Sequence, residues 1–396
     1  MSIVGPSLPH AAARIAFVSS CPAVWGGSEE LWAATALWLR RAGHTVRTFK
    51  TTVDPKHHKV AELLAAGCSV DDIDPALTLR QRMLNRVLPY QRQHTRRSCG
   101  ERVLTRGLRA FEPHLVVVSQ GSNYDGIAFA EVCRQQGHAY VLLSQKAVDF
   151  FLPLYFERTL AQRAYATARR CYFVARHNMV LTEQQLAMRL PAAEVVTNPF
   201  NVPFEALQPW PAAEAEQVLH LACVARFEVL DKGQDLLLQV LSQPHWRARA
   251  LRVTLFGAGH DEQALREMID LLDLHETVRI GGHVRDISAV WRSYHALVLP
   301  SRNEGLPLAL VEAMLSGRPA IAVSAGGMAE LLTDNVTGFL AAAPTPQALE
   351  EALERAWNQR ARWPELGREA ARRARAAIPA DAAARFGERL LAEIAG

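Results

Sequence analysis

The sequence is poor in the features that mark membrane-spanning, disulfide-rich and zinc-binding proteins. The 396 residues include six cysteines, and no two of them have the Cys-x-x-Cys spacing of a zinc or redox site. No apolar run approaches the length that spans a bilayer, and the apolar residues 15–19 are too short and too late for a secretory signal. We therefore expect a cytoplasmic protein with reduced, buried cysteines and no structural zinc.

Acidic residues are scarce in the first half of the chain. Residues 1–200 hold 24 Lys+Arg and 15 Asp+Glu, a net charge of +9, whereas residues 201–396 hold 20 and 25, a net charge of −5. Within residues 80–109, nine arginines accompany a single acid, Glu101, and apolar residues lie between them. This pattern suits an anionic membrane surface, at the inner face of the membrane, or a charged acceptor. A solvated basic helix has the same pattern, and nucleic acid is not an expected partner.

Apolar strands alternate with helical patterns through both halves of the chain. Strands are predicted at residues 14–19, 44–49, 115–118 and 140–143, and then at 218–225, 252–257, 278–281, 296–299 and 319–323. Continuous apolar strands that alternate with helices indicate an α/β protein with parallel, doubly wound sheets.

The strand pattern is interrupted once, so two domains are predicted. Residues 198–217 contain several prolines and read as a linker. We expect two Rossmann-like domains facing across a cleft, residues 1–200 and residues 201–375, with the ligand in the cleft. Residues 376–396 have the composition of a terminal helix, and composition alone leaves open whether it crosses back to the first domain.

Two glutamates follow the predicted strand at residues 296–299. Gly305 and Pro307 break the backbone after Glu304, and a helix is predicted from Leu308, with Glu312 further along it. The first peptide N–H groups of that helix have no partners within the helix and favour an anionic ligand. Two carboxylates in this arrangement suit two sets of hydroxyls on one elongated ligand, such as a sugar and a ribose.

Two cations follow the first strand of the second domain. Arg226 lies just past the strand end, and Lys232 is predicted to begin the next helix. Together they can hold a diphosphate, although two solvated surface charges would look the same in isolation. Gly257 ends another strand in a Gly-x-Gly turn, and Gly26 and Gly27 follow the first strand of the chain. These glycines permit close approach of the backbone to a ligand, or are simply tight turns.

Taken together, these residues resemble the retaining nucleotide-sugar glycosyltransferases of family 4, which have the GT-B fold. The resemblance is strongest over residues 218–340 and extends over nearly the whole chain. Its motifs are the Arg226 and Lys232 pair, the E-x7-E pair Glu304 and Glu312, Pro300-Ser301, Gly317-x-Pro319, Gly326-Gly327, Glu330, Gly338-Phe339, Gly26-Gly27 and Gly43-His44-x-Val46.

The resemblance implies a role for each motif. Arg226 and Lys232 would hold the donor diphosphate, Glu312 would accept from the ribose hydroxyls, and Glu304 would contact the donor sugar. The remaining donor-side positions are the glycines Gly26, Gly27 and Gly257. The loop of His283 and Val284 would lie near the base, and Gly305, Leu306, Pro307 and Leu308 near the sugar and phosphate. No metal or other cofactor is expected, because the cations take the place of a divalent ion. UDP is favoured over GDP, and the acceptor is expected to be a glycan, lipid-linked or small-molecule hydroxyl in surface polysaccharide synthesis.

The chain departs from the family pattern at one acceptor-side position. Many members carry a histidine after the strand that corresponds to residues 140–144, where Gln145 stands here. An amide can orient a hydroxyl but cannot act as a base, and Asp149 is a second polar candidate nearby. Two other functions remain open: a nucleotide-sugar epimerase or hydrolase of the same fold, and a non-catalytic nucleotide-sugar binding protein.

Overall fold

The computed structural model describes residues 12–74, 79–85, 95–211 and 218–395. Within these ranges the chain forms two parallel sheets, each covered by helices on both faces. The predicted α/β architecture of two doubly wound domains is therefore confirmed. Every strand predicted from the sequence is present, with ends that differ by at most two residues.

The first domain is built on a seven-stranded parallel sheet with the order β3-β2-β1-β4-β5-β6-β7. Its strands are β1 (Arg14–Ser19), β2 (Thr45–Lys50), β3 (Ser69–Asp72), β4 (Leu115–Gln120), β5 (Tyr140–Ser144), β6 (Cys171–Phe173) and β7 (Ala193–Val195). Its helices are α1 (Gly27–Arg41), α2 (His58–Ala65), α3 (Leu79–Leu84), α4 (Arg96–Phe111), α5 (Ile127–Gln135), α6 (Tyr155–Thr167) and α7 (Arg176–Leu186).

Two hydrophobic clusters cover the two faces of this sheet. Helices α4, α5 and α6 pack side by side on one face, where Leu104, Phe129 and Ala161 share a cluster with the strands. Helix α1 packs on the other face through Leu31 and Trp32. The central strands β1 and β4 are buried on both faces, which is why they read as unbroken apolar runs in the sequence.

The second domain is built on a six-stranded parallel sheet with the order β10-β9-β8-β11-β12-β13. Its strands are β8 (Leu219–Val224), β9 (Leu251–Phe256), β10 (Val278–Gly282), β11 (Ala296–Leu299), β12 (Ala320–Val323) and β13 (Gly338–Ala341). Its helices are α8 (Val229–Lys232), α9 (Gln234–Leu241), α10 (Pro244–Arg247), α11 (Glu262–Leu271), α12 (Ile287–Ser293), α13 (Leu308–Leu315), α14 (Met328–Leu331), α15 (Pro346–Asn358) and α16 (Trp363–Ala377).

The last helix, α17 (Ala382–Ala395), lies on the first domain. Gly387 packs so closely on Trp38 of α1 that a Cβ there would come within 2.4 Å of the indole ring. Phe386 meets Tyr172 edge to face, with ring centroids 5.1 Å apart. The chain therefore passes between the two domains twice, once before β8 and once between α16 and α17.

In the described part of the chain, no helix combines the length and the apolar character needed to cross a lipid bilayer.

Candidate active site

The carboxyl ends of the neighbouring strands β8 and β11 bring a lysine and a glutamate together. Lys232 Nζ donates to Glu304 Oε1 at 2.8 Å, and both side chains are largely buried. The prediction that Lys232 begins the next helix is wrong, because Lys232 is the last residue of the short helix α8. Gly233 follows it with φ +64°, and a Cβ at Gly233 would lie 2.1 Å from the Pro300 carbonyl oxygen. The left-handed glycine therefore separates α8 from α9, which begins at Gln234.

The second cation of the predicted clamp has a different partner. Arg226 forms an ion pair with Glu228 at 2.7 Å, and 40% of its side chain is exposed. Gln234 holds the same segment in place by donating to the Arg226 carbonyl oxygen at 2.8 Å. Each cation is thus paired with its own acid, so an arriving anion has to share the cation with a carboxylate or displace it.

An ion pair between the domains lies beside Lys232. Lys146, which follows β5 in the first domain, donates to Asp231 Oδ2, and Asn303 Nδ2 donates to Asp231 Oδ1 at 3.1 Å. Burial opposes ionisation of Asp231, but Lys146, Lys232 and Asn303 together hold its pKa below the ordinary value. Asp231 therefore connects the loop after β5 to the site, and nothing in the sequence spacing indicated this pair.

Glu312 is bonded to the segment that connects the domains. Its Oε1 accepts from the Asn201 backbone N at 3.0 Å and from Asn201 Nδ2 at 3.1 Å. Burial raises the pKa of Glu312 to about 7 against these two hydrogen bonds, and the negative charge of Glu30 in α1 raises it further. The predicted ribose-binding carboxylate is thus a buried acid that titrates near neutral pH.

The loop between Glu304 and α13 lies against the first domain. A Cβ at Gly305 would come within 2.0 Å of the Gln145 carbonyl oxygen, so only glycine fits there. At the other end of the loop, no side chain caps α13, whose N-cap residue is Pro307. Leu308 begins the helix, and its side chain would be 3.3 Å from a Cβ at Gly27. The structure thus brings together most of the predicted donor-side backbone, with Leu306 half-buried between them.

The predicted acceptor-side residues are both already engaged. Gln145 is buried, and its Oε1 accepts from Asn198 Nδ2 at 2.8 Å, while its Nε2 has no protein partner in the described structure. Asp149 pairs with His177 Nε2 at 3.1 Å on a more exposed surface. Glu330 of the second domain accepts from the backbone N of His177 at 2.7 Å, at the start of α7. The buried, unpaired amide N–H group of Gln145 is a donor that a ligand or water can use.

Gly257 and the loop of His283 and Val284, also predicted on the donor side, make contacts within the protein itself. Gly257 has φ +150°, and a Cβ there would lie 1.9 Å from the Ala225 carbonyl oxygen, so its close contact is with the chain after β8. His283 is exposed and lies within electrostatic range of His57 in the first domain, where it contributes to lowering the pKa of His57 after the larger effects of burial and His58. Val284 packs against the core of the second domain.

The loop before Gly26 is held by a buried lysine that the sequence analysis missed. Lys50, at the end of β2, donates to the carbonyl oxygens of Cys21 and Ala23, at 3.2 and 2.8 Å. Its Nζ also lies 3.3 Å from Glu29 Oε2, and both side chains are almost fully buried. Burial raises the pKa of Glu29, whereas Lys50 and Ser19 lower it.

Replacing Lys50 with alanine should destabilise the first domain by about 3–5 kcal/mol, because it leaves the Glu29 charge buried without its partner. Denaturant unfolding monitored by tryptophan fluorescence measures this change. In the control, the double variant Glu29→Leu/Lys50→Met removes both charges and should recover most of the lost stability. Equal loss in the single and double variants would show that the loop depends on the carbonyl contacts of Lys50 and not on charge pairing.

Asp125 is a further polar residue at the carboxyl end of β4 that the sequence analysis did not select. Its Oδ1 accepts from Ser20 Oγ at 2.6 Å, and its Oδ2 accepts from the Ser122 backbone N at 2.9 Å. The residue is nevertheless exposed to solvent. Asp125 is therefore a candidate for contact with an acceptor hydroxyl.

No three His, Cys, Asp or Glu side chains of the described residues are grouped as a metal site would need. An Asp-x-Asp sequence at Asp72 and Asp74 lies at the end of the edge strand β3, where the Asp72 carboxylate accepts from the Asp74 backbone N at 2.8 Å.

A family model described as glycosyl transferases group 1 matches residues 219–359, the greater part of the second domain. The matched range contains Arg226, Lys232, Glu304 and Glu312.

Curated relatives show similarity over part of the chain. An uncharacterized glycosyltransferase of Haemophilus influenzae is 34% identical over 115 residues, which are 28% of this chain and 31% of the relative. A D-inositol 3-phosphate glycosyltransferase of Kineococcus radiotolerans is 30% identical over 182 residues, 41% of each chain. The aligned part thus spans well under half of either relative.

Solved structures match nearly the whole chain at low sequence identity. Sucrose-phosphate synthase of Thermosynechococcus elongatus superposes with a TM-score of 0.75 at 16% identity, and covers 96% of this chain and 99% of its own. The Anabaena protein HepE in complex with UDP-glucose superposes with a TM-score of 0.72 at 16% identity over the same shares. These neighbours establish the shared fold. The matched family model, the relatives and the two-domain architecture agree with the resemblance seen in the sequence: residues 219–359 match the group 1 glycosyl transferases, and the chain has the GT-B fold.

Proposed function

We propose that this protein is a retaining glycosyltransferase that moves a sugar from a nucleoside diphosphate sugar to a hydroxyl group of an acceptor. The observation that carries the proposal is the Lys232–Glu304 pair at the adjacent mouths of β8 and β11, at 2.8 Å. Glu312 lies further along the helix that starts at the same mouth. Lys232 would then meet the diphosphate of such a donor, Glu304 the sugar and Glu312 the ribose.

In this proposal the protein promotes one substitution reaction at the anomeric carbon of the donor sugar. The bond between the anomeric carbon and the phosphate oxygen breaks, and its electron pair stays on the leaving diphosphate. Lys232 and Arg226 stabilise the charge that develops there. The acceptor oxygen bonds to the same face of the sugar, and its proton passes to the departing phosphate oxygen. No protein nucleophile and no metal ion take part in these steps.

The donor is proposed to be a UDP-sugar and the acceptor a glycan, lipid-linked or small-molecule hydroxyl in surface polysaccharide or glycoconjugate synthesis. The HepE complexes with UDP and UDP-glucose support the choice of nucleotide, and a putative colanic acid biosynthesis glycosyltransferase of Escherichia coli, 26% identical over 174 residues, supports the pathway class. Gln145 and Asp149 are proposed to lie on the acceptor side. The protein is proposed to act in the cytoplasm, at the inner face of the membrane.

Thermal stabilisation by nucleotides tests the donor class. UDP at a hundred times its dissociation constant should stabilise the fold by about 2.7 kcal/mol, and GDP and ADP at the same concentration by less. The shift should be the same with and without a metal chelator. A shift that disappears with the chelator would contradict metal independence, and no shift with any nucleotide would favour a non-catalytic protein of this fold.

The identity of the product separates the remaining alternatives. With UDP-sugar and a hydroxyl acceptor, transfer produces a glycoside of unchanged anomeric configuration, which NMR detects directly. An epimerase or hydrolase would instead rearrange the donor or release free sugar at the same rate with and without acceptor.

A further inference from the structure

An exposed apolar segment runs from the loop after β5 into the first turn of α6 in the first domain, and neither the family match nor the proposed chemistry uses it. We call residues 150–156 the apolar rim. Six of its seven side chains are large, apolar or aromatic, and open to solvent: Phe150 at 77%, Phe151 at 41%, Leu152 at 66%, Leu154 at 74%, Tyr155 at 78% and Phe156 at 72%.

The base of the apolar rim is held by a buried polar network. The Val148 backbone N donates to Asn123 Oδ1 at 3.3 Å, and the Val148 carbonyl oxygen accepts from Gln185 Nε2 at 2.7 Å. Asn123 and Gln185 are buried and bonded to each other at 2.8 Å. Pro153 is buried in the middle of the rim. The fold thus fixes the residues just before the segment and one central residue, while it leaves the apolar side chains in water.

A cluster of large, exposed apolar side chains so close in sequence is unusual in the described part of this protein. In the second domain, large exposed apolar residues such as Leu271 are isolated in sequence, as is normal for a protein surface. A run of six such side chains, with three phenylalanines and a tyrosine, is typical of a surface that meets a partner or the interfacial region of a bilayer.

The charge in the same helical layer as the rim favours an anionic partner. Helix α4 lies on the same face of the sheet as α6, with α5 between them. Its exposed arginines Arg102, Arg106 and Arg109 are spaced i, i+4 and i+7, so they lie along one face of the helix. The rim itself is flanked by the acids Asp149 and Glu157 and followed by the half-buried Arg158, so most of the attraction has to come from α4. Of the basic residues 80–109, Arg86 and Arg92 lie outside the described residues.

We infer that the apolar rim inserts into the interfacial region of an anionic phospholipid bilayer, with the arginine face of α4, in the same helical layer, at the lipid headgroups. Aromatic and leucine side chains supply the apolar contact, and arginines supply attraction to the anionic headgroups. The rim follows Lys146 and Asp149 directly in the chain, so a docked protein has its cleft open close to the membrane surface. The inference does not depend on the proposed sugar transfer.

Sedimentation with lipid vesicles tests the inference without an activity assay. The protein should bind vesicles of phosphatidylcholine with phosphatidylglycerol, and bind less well to phosphatidylcholine alone or at high salt. The variant Phe150→Ser/Leu154→Ser/Phe156→Ser should lower the partition coefficient by about tenfold or more, because each of the three apolar side chains would bury the equivalent of several CH₂ groups in the bilayer. In the control, Leu271→Ser removes an equally exposed side chain and should leave binding unchanged.

A fluorescent probe locates the contact independently of the triple variant. All six native cysteines are buried, so Leu152→Cys introduces an accessible thiol for an environment-sensitive dye. Its emission should shift to the blue when anionic vesicles are added, whereas a dye at Leu271→Cys should not respond. Absence of vesicle binding, or equal binding by the triple variant, would overturn the inference. If sedimentation velocity shows a wild-type dimer that the triple variant converts to a monomer, the rim instead meets a second copy of this chain.

Discussion

Replacing Lys232 with alanine should lower kcat/KM for sugar transfer by about 10²–10³-fold, the usual cost of removing one group that stabilises developing charge. The leaving diphosphate gains charge as its bond to the sugar breaks, so kcat should fall more than donor affinity. The variant also leaves the buried Glu304 without the cation that lies 2.8 Å away. Steady-state kinetics with a UDP-sugar donor provide the measurement.

Two controls separate chemistry from folding in this experiment. Arg266→Ala removes an exposed cation of α11 that pairs with Glu262 at 2.7 Å, and should leave kcat/KM unchanged. Lys232→Arg keeps the charge and should retain more activity than the alanine variant. If Lys232→Ala raises KM and leaves kcat intact, Lys232 binds the donor equally in the ground and transition states, and the proposed role in bond breaking is wrong.

Glu312→Gln should have opposite effects on nucleotide binding and on the stability of the protein alone. The carboxylate is proposed to accept from ribose hydroxyls, and a hydrogen bond to a charged group contributes about 1.5–3 kcal/mol. Nucleotide affinity should therefore fall roughly ten- to a hundredfold. Calorimetric titration with UDP above pH 7 measures this loss, and unchanged affinity would contradict the ribose assignment.

The effect on stability follows from the raised pKa of Glu312. The pKa is about 7 in the folded protein and near 4.5 in the unfolded chain, so between these values the folded state binds the extra proton. Stability is therefore highest below pH 4.5, as far as this group is concerned, and falls as pH rises towards 7. Above pH 7, Glu312→Gln should be more stable than the wild type by up to about 3 kcal/mol, and this advantage should vanish in acid.

Denaturant unfolding at several pH values checks this second effect. The control is Glu262→Gln, which replaces a half-buried glutamate of α11 that lies outside the site. An advantage that does not change with pH would mean that Glu312→Gln acts through packing or through its contacts with Asn201, and not through titration.

The sequence predicted the sheets well because their central strands are buried on both faces. It missed β3, β6, β7 and β13, which have only three or four residues each. In β3 the sequence is Ser-Val-Asp-Asp, and in β7 no residue is fully buried. Such strands form because neighbouring strands offer them backbone hydrogen bonds, and an apolar pattern cannot reveal this.

The candidate site was predictable where chemistry follows directly from a strand end. Arg226, Glu304 and the helix that carries Glu312 were found because each lies just after an apolar strand. The partners of these residues were not predictable, because Asn201 and Lys146 come from distant parts of the chain and meet the site only when the two domains come together. The spacing of residues along the chain indicates where strands end, but not how two domains face each other.

The two passages of the chain between the domains constrain how the cleft can open. A single tether would let the halves rotate about any axis, whereas two separate tethers leave rotation about the line between them as the easiest motion. The first tether carries Asn201, which is bonded to Glu312, and the second leads into α17, which is packed on α1. A proteolytic cut in the second tether would leave the halves covalently joined through the first, whereas after a cut in the first tether only the packing of α17 on α1 would hold them together. The line between the two tethers is thus the expected hinge axis of the cleft. A nucleotide that competed with Asn201 for Glu312 would act close to this axis. A small rotation there produces its largest displacement at the far edge of the cleft.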